Sequence, residues 1–209
     1  MNKINKKYFF SLIELLCVMV ISILLIGIAI PTFNAITQGQ KVETAARTIG
    51  SQLKSVRSSA ITRREYIALI IPTTEDLSSD YLYRSYRPCI VNSSSVFQAW
   101  ISGEKWEFLP PGTAIIDIDN TIGHSGTSAG TFTSAGTITS VDFSSIGIEA
   151  RTNAQGITFS PTGKSFNPAT RKYVTIGEAT LLEDSVTSTS DLIEITIDLY
   201  SGRISYGSK

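Results

Sequence analysis

The sequence has few of the residues that carry acid–base or metal chemistry. Its single histidine, His124, sits in Gly123-His124-Ser125-Gly126 and reads as plain loop surface. One histidine and two isolated cysteines do not make a zinc site, and no Ser–His–Asp arrangement is suggested. Cys17 lies inside a long apolar run and Cys89 far beyond it, so an intrachain disulfide is not expected. Asp117-x-Asp119-Asn120 has the look of a calcium loop but lacks the Gly and the distal Glu of an EF-hand. Those acids read as outward positions at the end of a strand. Gly112, Gly156 and Gly163 stand in turns and form no phosphate-binding fingerprint. Neither an enzyme nor a metal or cofactor site is therefore expected.

Charge of one sign is missing as well. Lys and Arg number 18 and Asp and Glu number 18, so bulk electrostatics steer the chain toward no particular partner. The distribution is uneven. Lys41, Arg47, Lys54, Arg57, Arg63 and Arg64 meet only Glu43, giving about +5 over that stretch. From Glu65 onward there are nine Lys/Arg and sixteen Asp/Glu, about −7. A basic stalk precedes an acidic body.

What the chain does have is FFSLIELLCVMVISILLIGIAIP, residues 9 to 31, apolar throughout except for Ser and Glu14. As a helix, Tyr8 to Ile30 would extend about 34 Å, enough to cross a hydrocarbon core of about 30 Å. A secretory signal core is only about 7–15 residues and ends in small residues at its cut, so a retained membrane helix fits better. Lys3, Lys6 and Lys7 precede the run and should hold that end in the cytoplasm, with the rest of the chain outside. A carboxylate within a membrane segment is costly and usually marks function, with a partner nearby. On position alone, Glu14 could equally snorkel or protonate near the interface.

The string Phe10-Ser11-Leu12-Ile13-Glu14-Leu15-Leu16 follows a short Lys-rich leader, and Pro31 closes the apolar run. Together these features resemble type IV prepilins and type II secretion prepseudopilins. The resemblance implies removal of leader 1–9 by a prepilin peptidase between Phe9 and Phe10, and N-methylation of Phe10. It also implies that residues 10–31 form a filament-core helix in which Glu14 faces the new α-amine of a neighbouring subunit. Coulomb attraction in a low dielectric would then set axial register as well as offset desolvation. Pro31 lacks an N–H and would weaken or kink the helix there. Phe9 stands where the family carries Gly, so the sequence leaves both a processed and an intact chain open.

Residues 32–64 read as an amphipathic continuation of that helix. Val42, Ala45, Ala46, Ile49, Leu53, Val56 and Ala60 recur at steps of three and four, with Arg47, Lys54, Arg57 and Arg64 off the stripe. Those bases read as a solvated face beside an acidic body rather than a nucleic-acid or acidic-lipid surface. Gly39 and Gly50 each cost about 1 kcal/mol in a helix, so the helix is expected to be less than rigid there.

Within 65–209 the period becomes two. Strands are expected at 66–71, 81–87, 96–100, 106–109, 114–119, 156–160, 173–176, 192–199 and 203–206, with a hairpin turn at Ser201-Gly202. The Gly/Ser/Thr-rich stretch at about 120–147 reads as a flexible surface loop. The fold class expected is α+β, a long N-terminal helix packed on an antiparallel β-sandwich.

AARTIGSQLKSVRSSAITRREYIALIIP, LPPGTAI, ITFSPTG and the closing SGRIS resemble H-type minor pseudopilins and FimT-like minor pilins. The resemblance implies an assembly subunit of a type II secretion pseudopilus. Its alternative is a minor pilin of a type IV pilus or competence machine that binds DNA or a surface. The partners implied are other pilins, the prepilin peptidase and the inner membrane, crossed once. Nucleic acid is not expected, because only Arg203 and Lys209 stand where some FimT-like proteins carry a basic tail.

Overall fold

The computed structural model describes residues 11–73, 80–119, 136–147, 151–166, 172–182 and 185–208. Helix α1 (Leu12–Arg63) is the first element of the described residues. Two compact units divide at Gly39/Gln40.

The second unit is α+β. After α1 come β1 (Tyr66–Ile71), β2 (Ser85–Val91), β3 (Phe97–Trp100), β4 (Glu107–Phe108) and β5 (Thr113–Asp119). Then follow β6 (Thr137–Asp142), β7 (Arg151–Phe159), β8 (Lys172–Leu182), β9 (Ser185–Ile197) and β10 (Ile204–Ser208). They form two antiparallel sheets, β3-β2-β1-β7-β6 with β4 beside β2, and β10-β9-β8-β5. The first sheet curls until its ends meet. Val96 bridges Thr139, and the Trp100 indole N–H donates to the Asp142 carbonyl at 3.0 Å.

Two cores result, and β1 serves both. Ile67, Leu69 and Ile71 join one; Ala68 and Ile70 join the other. This is why β1 is apolar at every position after Tyr66 rather than alternating. The first core takes the helix stripe Val42, Ala45, Ala46, Ile49, Leu53, Val56 and Ala60, all at most 3% exposed, and packs it with residues of both sheets, among them Phe159, Val174 and Ile195. The second fills the curl of the first sheet with Phe97, Ile138, Val141 and Phe143. In β5 a bulge between Ile115 and Asp117 resets the alternation. Ile115 and Ile118 therefore share the first core while Ala114 and Ile116 reach the second.

Several expectations need correction. Tyr81–Arg84 form a turn, not a strand. Leu82 and Tyr83 are both buried, which alternation forbids, and Tyr83 has a φ of 58°. The Ser85 hydroxyl donates to the Tyr81 carbonyl at 2.8 Å and closes the turn. The strand that follows runs through Pro88. There the outer side of β2 is unpaired, because β3 pairs from Cys89 onward and β4 pairs with Ser85 and Tyr86. Within the stretch read as loop, β6 and a 3-10 turn (Ser144–Ile146) are ordered parts of the fold. Ile138, Val141 and Phe143 anchor them in the second core. Strands β7, β8 and β9 all begin earlier or end later than the apolar runs that announced them. Asp117 is not outward; it is 6% exposed.

Candidate functional site

The backbone enters α1 at Ser11, whose carbonyl accepts the N–H groups of Glu14 (3.0 Å) and Leu15 (3.2 Å). Leu, Ile, Val and Met then follow one another with no polar stripe, so the helix is apolar on every face. From Leu12 to Ile26, twelve large apolar side chains are exposed, from 49% at Val20 to 83% at Leu12. Burying each would contribute roughly 1.5–3 kcal/mol. An exposed apolar surface of this extent is costly to leave in water. Among the described residues no helix is long and apolar enough to cross a membrane.

Glu14 lies in the first turn and is exposed, the only charged residue between Leu12 and Gly39. The helix N-terminus favours a carboxylate there, since its amides carry partial positive charge. Pro31 falls inside α1, about 25 Å further along the axis at 1.5 Å per residue. The helix thus carries both residues without bringing them together. Phe9, Phe10 and His124 lie outside the described residues.

Of the bases of the helix in the second unit, Arg57 and Lys54 meet the body, Arg47 pairs within the helix, and Lys41, Arg63 and Arg64 are exposed. Arg57 Nε donates to the Gly163 carbonyl at 2.9 Å, Lys54 sits 5.5 Å from the Tyr206 ring centroid, and Arg47 pairs with Glu43 at 2.6 Å. On another side of this helix, Gln52 and Tyr86 both donate to Glu107 Oε2, at 2.9 and 2.7 Å. Burial and that carboxylate push the Tyr86 phenol well above its ordinary pKa. Cys17 and Cys89 are both free thiols. Among the described residues no group of His, Cys, Asp or Glu could hold a metal ion.

Sequence reasoning missed a surface depression of about 450 Å³ lined by Tyr66, Ser160, Lys164, Ser165, Phe166, Leu199 and Tyr200. Its residues come from three separate stretches, and only the tight turn within ITFSPTG hinted at it.

No family model and no curated protein matches this chain. Solved structures similar to it include the type IV minor pilin FimU of Pseudomonas aeruginosa, at 15% identity and a TM-score of 0.45, covering 80% of this chain and 89% of FimU. They also include the minor pseudopilin EpsH from the Type 2 Secretion System of Vibrio cholerae, at 13% identity and a TM-score of 0.45, covering 80% of this chain and 96% of EpsH.

Proposed function

We propose that this chain is a non-enzymatic assembly subunit of a pilin-like filament, an H-type minor pseudopilin of a type II secretion system. The observation that carries the reading is the helical surface from Leu12 to Ile26, apolar on all sides and exposed, with one carboxylate in its first turn. Residues 10–31 rest in the inner membrane before assembly, with the Lys-rich end in the cytoplasm and the body beyond the membrane. They then pass into a bundle of like helices, an exchange of one apolar environment for another. In that bundle Glu14 meets the α-amine of Phe10 on a neighbouring subunit, exposed when the prepilin peptidase cuts after Phe9 and then methylated. Unpaired, the carboxylate costs several kcal/mol in such surroundings; paired, it fixes the axial position of one subunit against the next.

The type IV pilus or competence alternative shares this helix chemistry. For a DNA-binding role the helix offers the exposed Lys41, with Arg63 and Arg64 at its end, while Arg47, Lys54 and Arg57 already have intramolecular partners.

Glu14→Val tests the reading. Membrane fractionation should be unchanged or improved, while co-purification with other pilins falls. Co-purification at the wild-type level overturns the pairing. N-terminal sequencing of the membrane-extracted protein should begin at Phe10; an intact Met1 removes the amine on which the pairing depends.

A further inference from the structure

The depression lies beside the C-terminal end of α1, in the second unit, and two tight turns build it. Ser160 to Lys164 is closed by the Ser160 N–H donating to the Lys164 carbonyl (2.9 Å) and the Gly163 N–H to the Ser160 carbonyl (2.8 Å). The Ser160 hydroxyl adds a bond to the Lys164 carbonyl at 3.1 Å. The turn between β9 and β10 is closed by Asp198 Oδ1, which accepts from the backbone N–H and the hydroxyl of Ser201 at 2.9 and 2.7 Å. Arg57 on α1 ties the first turn to the helix. Gly202, at a φ of 63°, lets the second turn approach Gly163 more closely than any side chain would permit. The walls are therefore set before any ligand arrives.

Three rings stand around this space. Tyr66 and Phe166 meet edge to face with centroids 5.5 Å apart, and Tyr200 is 72% exposed. Lys164 is the one charged lining residue, and no carboxylate lines the depression among the described residues. Ser165 carries the decisive detail. It is 3% exposed, lines the depression, and its hydroxyl has no hydrogen-bond partner among the described residues. A buried hydroxyl without a partner costs free energy that folding alone does not return.

We infer that this depression binds an acidic saccharide, a pyranose ring bearing a carboxylate. An open depression cannot enclose an apolar ligand, but a sugar needs only one face covered, and its C–H face lies against an aromatic ring. Its ring hydroxyls pair with the tyrosine hydroxyls, and with Ser165 once rotation about its Cα–Cβ bond turns the hydroxyl, inaccessible in this structure, into the depression. Its carboxylate meets the Lys164 ammonium, and nothing of like charge lines the site. The inference goes beyond the filament reading and does not depend on it, since no residue of the first unit takes part.

Titration calorimetry on the full-length protein in detergent micelles tests it, with trigalacturonate as the probe and maltotriose as the neutral match. Trigalacturonate should saturate at millimolar concentration and bind roughly tenfold tighter than maltotriose at low salt, a preference that Lys164→Gln removes. Ser165→Ala should weaken both sugars roughly three- to tenfold while leaving the thermal midpoint unchanged or higher, because it deletes an unpaired buried hydroxyl. Tyr200→Ala, at an exposed position, should weaken both by about tenfold or more. Absence of saturation by either sugar overturns the inference. So does a Ser165→Ala protein that shifts in thermal midpoint but keeps wild-type affinity. Equal binding of benzoate also overturns it, assigning the site to an aromatic side chain of a peptide.

Discussion

The Tyr206 hydroxyl on β10 occupies the space where a side chain on Gly50 of α1 would begin, and a Cβ there would also lie 2.7 Å from Tyr206 Cζ. Gly50 is thus a packing residue, not the soft point its helix propensity suggests. Alanine there would gain about 1 kcal/mol of propensity but force Tyr206 off the helix, where overpacking costs about 1–3 kcal/mol. Gly50→Ala should therefore lower stability by about 1 kcal/mol in the wild-type background and raise it by about 1 kcal/mol beside Tyr206→Ala. Urea unfolding of the four proteins of the cycle measures the coupling. Independent, additive effects would show that the two residues do not compete for space.

Burial lowers the Lys172 ammonium to a pKa of about 8 from an ordinary 10.5, and the residue is 3% exposed. The unfolded chain holds that proton up to its ordinary pKa, whereas the folded chain releases it near 8. Between those values the unfolded state binds more protons, so stability rises with pH across the window. Below it, the buried charge costs a constant amount, about 3 kcal/mol by the size of the shift. Lys172→Met should be more stable than wild type at neutral pH, and the difference should shrink toward zero as pH climbs through the window. Cys89 and Tyr86, whose pKa values burial raises, titrate alike in both proteins and cancel in that difference. A difference that does not change with pH would contradict the assignment.

The two thiols should behave differently. Cys89 is fully buried and its pKa is pushed up, so little reactive thiolate is present. Cys17 is exposed on the apolar helix. In detergent, N-ethylmaleimide should label one thiol per chain, with the second appearing only on denaturation. In intact membranes or assembled filaments, a charged maleimide should fail to reach Cys17. Labelling there at the detergent rate would place that helix in water.

Where one chemical constraint dominated, the elements were legible in advance. The seven-residue helix stripe is buried as its spacing required, and β1 has the bounds of its apolar run. The turn at Ser201-Gly202 was readable because only a left-handed φ closes it. Strand β6 was not readable. Its buried Ile138 and Val141, with Phe143 just after it, are spread among Thr, Ser and Asp, and a bulge against β7 breaks the alternation. Tyr81–Arg84 misled because rings and polar residues alternate in sequence while the backbone turns. The exposed apolar helix and Glu14 were visible from composition and position. The depression was not, since Tyr66, Ser165 and Tyr200 become neighbours only through folding.

β1 is a wall common to both cores. A disturbance at Ala68 or Ile70 passes through the same backbone that holds Leu69 and Ile71 against the helix. The closed curl of the first sheet and the helix-backed layer thus share one strand of six residues as their common boundary.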